Sequence, residues 1–121
     1  MRDIQNREDI MLIMRRFYLK LLGDGRISYL FTEVIHLDLE AHFPVLADFW
    51  ETILFGVGKY SKNTMQVHLD LHQKSPLNKE HFTIWLDYFA NSVDELFDGV
   101  KAQEAKSRAQ SIASVMLHKV S

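Results

Sequence analysis

A chain of 121 residues is long enough for one domain that hides roughly two-thirds of the surface its unfolded form exposes. Its 14 Lys and Arg nearly balance 16 Asp and Glu, for a formal net charge of -2, and no segment concentrates the basic residues, so the field that draws proteins to phosphate backbones is absent and nucleic acid is not an expected partner. The lack of cysteine excludes a disulfide framework, thiolate metal sites and Cys nucleophiles, while 5 Gly and 2 Pro in a chain that is 47% hydrophobic are too few turn-formers for a many-stranded fold, so a single all-α domain over residues 1–121 is expected.

Asn6 is placed to cap a first helix whose opening turn carries Glu8 and Asp9, acidic side chains where the helix dipole favours them. Ile10, Ile13, Met14, Phe17 and Leu21 then mark one face at helical spacing, and Gly23 and Gly25 stop the helix. Tyr18 lies at the edge of that stripe, its ring directed inward and its hydroxyl in need of a partner, which in most proteins is a backbone carbonyl. Ile27, Leu30, Phe31, Val34 and Ile35 are grouped too closely for a long helix and predict one or two short turns ending near His36.

Asp38 is the next cap candidate. Leu39, His42, Phe43, Leu46, Phe49, Trp50, Ile53 and Leu54 repeat at helical spacing, but Pro44 falls early among them and has no N–H to donate. The helix is therefore expected to start at about Phe43 or to kink there, with His42 in its first turn or just before it. Residues 56–64 read as a loop with no phosphate-binding pattern, and a short helix is expected from Thr64, ending well before Pro76 and carrying His68 and His72 on one face. Asn78 caps the next helix, with Leu77 and Phe82 able to staple the cap; Phe82, Trp85, Leu86, Phe89, Val93, Leu96 and Phe97 line it and Gly99 ends it. The last helix turns Ala105, Ala109, Ile112, Ala113, Met116 and Val120 inward, small residues that admit a close neighbour. No uninterrupted run of about 18 apolar residues occurs, and the first nine residues hold no apolar targeting segment. A soluble, cytoplasmic protein without a membrane partner is expected.

Phe17, Tyr18, Phe31, Phe43, Phe49, Trp50, Phe82, Trp85, Phe89 and Phe97 all face inward on this pattern, with His42 and His68 among them. A bulky core is the ordinary explanation of such a stripe. A cavity around a flat apolar cofactor is the other. A haem requires one neutral imidazole on its iron, an apolar shell, and hydrogen-bond donors on the opposite face. His68 can serve as the axial base, and the O–H of Tyr18 and N–H of Trp85 can point at a ligand. The alternatives are a haem-free helical interaction module and a non-haem metal protein using the i, i+4 pair His68 and His72, although the Glu of a His-Glu-x-x-His site is missing.

Several ordered blocks bear on this choice: Arg7-Glu8-Asp9-Ile10, Phe17-Tyr18, His42-Phe43-Pro44, Asp48-Phe49-Trp50, Gly56-x-Gly58-x-Tyr60, Met65-x-x-His68-Leu69-x-Leu71, His81-Phe82-x-x-Trp85-Leu86-x-x-Phe89 and Arg108-Ala109-x-x-Ile112-Ala113. In order and spacing, from about Arg7 to Leu117, the chain resembles the group III truncated haemoglobins. The resemblance implies a two-on-two helical sandwich around one haem b, iron protoporphyrin IX, with His68 as proximal ligand. It implies Tyr18, Trp85 and His42 as the distal ligand-binding residues, and Phe17, Phe31, Phe43, Leu46, Trp50 and Tyr60 as haem-pocket residues. His72 has no matching role. Where the family often has Pro this chain has Tyr29, and where it commonly has Trp this chain has Leu39. The implied activity is reversible binding of dioxygen or another diatomic ligand such as NO or CO. A redox role in NO detoxification or peroxide chemistry, with an electron-donating reductase, stays open beside it.

Overall fold

Local chemistry sets most of the helix boundaries. The computed structural model describes residues 1–34, 36, 38–56 and 75–120. Its helices are α1 (Arg7–Leu22), α2 (Gly25–Tyr29), a π-helical turn (Leu30–Val34), α3 (Leu39–Phe55), α4 (Lys79–Leu96) and α5 (Val100–Val120). The Asp9 N–H donates to the Asn6 side chain at the start of α1. Gly25, expected to help stop α1, instead opens α2 behind the cap Asp24, which accepts from the Arg26 N–H. The short turns expected between Ile27 and His36 are α2 and the π-helical turn; Ile35 lies outside the described residues.

Asp38 caps α3, accepting from the Ala41 N–H at 3.3 Å. The helix therefore begins at Leu39, not at about Phe43, and runs through Pro44. The missing Pro44 N–H leaves the carbonyl of Glu40 without its intrahelical donor, but Glu40 is exposed, so water can serve that oxygen. His42 accordingly sits inside the first turn of α3. Gly56 ends the helix in the left-handed region, φ 71°, which only glycine enters without strain. The expected helix from Thr64 lies outside the described residues.

Asn78 caps α4 in a full capping box: the His81 N–H donates to the Asn78 side chain, and the Asn78 N–H donates to His81 Nδ1. Leu77 and Phe82, the expected staple, are both buried. The first turn of α5 is served from far away in the sequence, because the Lys101 and Ala102 N–H groups donate to the Asp3 carboxylate at 2.8 and 2.9 Å. Asp3 is held there by a clasp at the N-terminus. The Asp98 N–H donates to the Arg2 carbonyl, and the Arg2 guanidinium forks onto buried Asp9, 2.5 Å to each oxygen. Those hydrogen bonds from Arg2 hold the Asp9 carboxyl below the usual carboxylate range.

Helices α1 and α3 pack as one pair, α4 and α5 as the other, and α1 lies against α4. This is an all-α, two-on-two helical sandwich. Buried Ala102, Ala105, Ala109 and Ala113 give α5 the small surface that admits α4. Between the pairs lies an aromatic core centred on Phe17 and Phe89, each 2% exposed. Phe89 meets Phe17 edge to face at 5.5 Å and stacks between Trp50 at 5.0 Å and Trp85 at 5.8 Å, separations at which aromatic pairs attract beyond simple burial. Arg7 ties α1 to α3 by donating to Asp48, Glu51 and the Pro44 carbonyl.

Candidate functional site

Tyr18 points inward from the last full turn but one of α1, and His42 points toward it from the first turn of α3. The Tyr18 hydroxyl and His42 Nε2 share a hydrogen bond of 3.0 Å. The partner is thus a side chain carried by another helix, not the backbone carbonyl that base rates favour. Early capping by Asp38 makes the meeting possible, since it places His42 within the helix and fixes its direction.

The pair is walled by rings. Tyr18 meets Phe17 at 5.3 Å, Phe31 at 5.6 Å, His42 at 5.7 Å and Phe43 at 5.7 Å, all near edge to face. Tyr18 is 5% exposed, and burial raises its phenol well above the ordinary range, because a phenolate in that surround would lose its hydration. The group therefore stays a neutral O–H at any working pH. His42, half-buried, faces both this apolar interior and the outside.

Trp85 approaches from α4. Its half-buried ring lies edge-on to Phe17 at 5.6 Å and parallel to Phe89. Phe17 therefore touches both candidate donors, Tyr18 and Trp85. Leu46, half-buried on α3, and Trp50, buried against Phe49 and Phe89, extend the same apolar wall. His68 and Tyr60, with His72, lie outside the described residues. The structure thus brings together Tyr18, His42, Phe17, Phe31 and Phe43 directly, and joins Trp85 and Trp50 to them through Phe17 and Phe89.

Two features were not visible as site elements from spacing. Phe89 was legible as one member of a stripe, but its position among three aromatic neighbours depends on α1 and α3. His81 was legible as part of a block, and its cap-to-third-residue spacing from Asn78 is the signal that marks its place in the capping box. Among the described residues, no group of three or more His, Cys, Asp or Glu side chains is arranged to hold a metal ion. No described helix is long and apolar enough to cross a membrane.

A two-on-two sandwich with a tyrosine–histidine pair set in aromatic rings defines a truncated globin. No family model matches the chain. It is 32% identical over 112 residues, 90% of this chain and 86% of the relative, to the group 3 truncated hemoglobin ctb of Campylobacter jejuni. The crystal structure of the group III truncated hemoglobin from Campylobacter jejuni superposes with a TM-score of 0.87 at 29% identity, covering 100% of this chain and 96% of that one. The chain belongs to the group 3 truncated haemoglobins. Membership implies a haem cofactor and haem-based ligand binding.

The residues present fit such a group. A neutral hydroxyl and an imidazole, already paired with each other and surrounded by rings, supply polar atoms within an otherwise apolar wall, the donor chemistry that one face of a haem pocket requires.

Proposed function

We propose that the chain, as one domain over residues 1–121 in the cytoplasm, binds one haem b with His68 as the proximal ligand and takes up dioxygen or another diatomic molecule on the opposite face beside Tyr18, His42 and Trp85. When bound, the haem would be held by His68 and would supply an iron able to bind a small diatomic ligand. Everything else is the work of the chain. Phe17, Phe31, Phe43, Leu46, Trp50 and Tyr60 form the apolar surround and exclude water.

The observation that carries this proposal is the 3.0 Å bond between Tyr18 and His42. A neutral imidazole holds one proton, so the pair has two arrangements. With the proton on Nδ1, His42 accepts at Nε2 and Tyr18 donates to it. With the proton on Nε2, His42 donates to the Tyr18 oxygen and the Tyr18 O–H is released to point elsewhere. A small molecule carrying partial negative charge selects the second arrangement, because the hydroxyl can then donate to it while His42 keeps the tyrosine oxygen paired. Trp85, with an indole N–H and no acceptor, adds a donor from the other helix pair.

Several donors converging on one small ligand slow its departure, which suits a role in which the ligand is consumed. NO detoxification or peroxide chemistry, supported by an electron-donating reductase, is part of the proposal on that ground. The test is an absorption spectrum of the purified protein titrated with haem. A stoichiometric Soret band that is lost in His68→Ala supports the proposal, and the lack of any such band in the wild-type chain refutes it.

A further inference from the structure

Tyr29 is the last residue of α2, and its hydroxyl lies 3.0 Å from Nε2 of His81 on α4. The proton in that bond can be placed. The Asn78 N–H donates to Nδ1 of the same ring at 3.3 Å, so Nδ1 presents its lone pair and the proton of the neutral imidazole sits on Nε2. His81 therefore donates to the Tyr29 oxygen, with the two rings 5.9 Å apart. At 8% exposure the imidazole depends on protein partners, and Tyr29 is the partner for one of its two nitrogens.

The bond joins two parts of the distal wall. Two residues beyond Tyr29, the Phe31 ring packs on Tyr18 at 5.6 Å. Four residues beyond His81, one turn along the same face of α4, stands Trp85. A second tie between α2 and α4 lies farther along the helix, where the Tyr88 hydroxyl donates to Asp24 at 2.7 Å. These two bonds, with the Arg26–Glu80 ion pair at 4.0 Å, hold the first half of α4 against α2. Trp85 is one of the six residues carried between His81 and Tyr88, and loss of the bond at His81 removes a fixed point one turn before it while Phe82 and Ile84 stay buried.

We infer that Tyr29 is a positioning residue for Trp85: through His81 it sets the direction in which the Trp85 indole N–H points into the distal pocket. The inference rests on the proposal that Trp85 is a distal donor. Tyr29→Phe is the suitable perturbation, since it keeps the ring and removes the one oxygen that His81 uses.

The test is a cycle of wild type, Tyr29→Phe, Trp85→Phe and the double variant, all loaded with haem. Each is read by the C–O stretching frequency of the carbon monoxide-saturated ferrous protein, by the dioxygen dissociation rate, and by urea denaturation. The expected result is that Tyr29→Phe speeds dissociation about 2- to 10-fold, the size of one ordinary hydrogen bond, and shifts the C–O stretch in the same direction as Trp85→Phe. In the Trp85→Phe background it changes neither. A Tyr29→Phe protein that is less stable but has a wild-type stretch and rate overturns the inference, as does an equal effect in both backgrounds. If Trp85→Phe alone moves neither stretch nor rate, the distal role of Trp85 fails, and the positioning role fails with it.

Discussion

Removing the Tyr18 hydroxyl tests the distal site most directly. In Tyr18→Phe the ring and its contacts with Phe17, Phe31, His42 and Phe43 remain, and at 5% exposure the position suits phenylalanine at least as well as tyrosine. Only the 3.0 Å bond to His42 is lost. A single neutral hydrogen bond contributes about 0.5–1.5 kcal/mol to folding, so the variant should fold and bind haem with at most that loss in urea denaturation. The effect on ligand release should be larger, because a bond to a charged acceptor is worth about 1.5–3 kcal/mol. If that bond breaks in the transition state for release, dioxygen dissociation accelerates roughly 10- to 150-fold. Stopped-flow displacement of dioxygen by excess carbon monoxide measures it. A rate within twofold of wild type, with an unaltered Soret band, would remove Tyr18 from the site.

The remaining predictions concern the scaffold. Phe89→Ala deletes a ring that is 2% exposed and meets Phe17, Trp50 and Trp85, so it should lower stability by about 3–5 kcal/mol; a loss under about 1 kcal/mol would show that the cluster repacks without it. Asp9 has its folded pKa lowered by Arg2, so its contribution is complete above the ordinary carboxylate range and is lost as pH falls toward the folded value. Asp9→Asn should therefore be less stable than wild type at pH 7, with the difference shrinking below about pH 4; a pH-independent difference between the two chemical melts would contradict the linkage. Gly99 has φ 146°, and a Cβ there would fall 2.5 Å from Asp3 Cγ, so Gly99→Ala should displace the carboxylate that caps α5 and lower the melting temperature. An unchanged melting temperature would show that Asp3 can move aside at no expense.

How far the fold was legible depended on whether a signal was local. Asn6, Asp38 and Asn78 cap the helices expected of them, since a cap needs only a short polar side chain and the next few N–H groups. The start of α3 shows two local signals in competition. Pro44 argued for a start near Phe43, yet a proline six residues into a helix deprives only one carbonyl of its donor, and that carbonyl belongs to exposed Glu40. Asp38 therefore prevails. The cap of α5 was not legible, because its acceptor, Asp3, comes from the other end of the chain.

The same division holds for the site. Sequence by itself determined the helical class, the caps Asn6, Asp38 and Asn78, the inward aromatic stripes and the membership of Tyr18, His42 and Trp85 in ordered blocks, because side-chain periodicity and capping act within a few residues. Tertiary structure alone decided what those residues touch. Tyr18 and His42 are separated in sequence by the end of α1, all of α2 and the π-helical turn, and whether the hydroxyl meets a backbone carbonyl or an imidazole depends on how α3 packs across α1. The Tyr29–His81 bond likewise exists only because α2 lies against α4. Hydrogen bonds of this kind form across helix pairs, where the relative placement of two backbones fixes a distance that neither segment encodes.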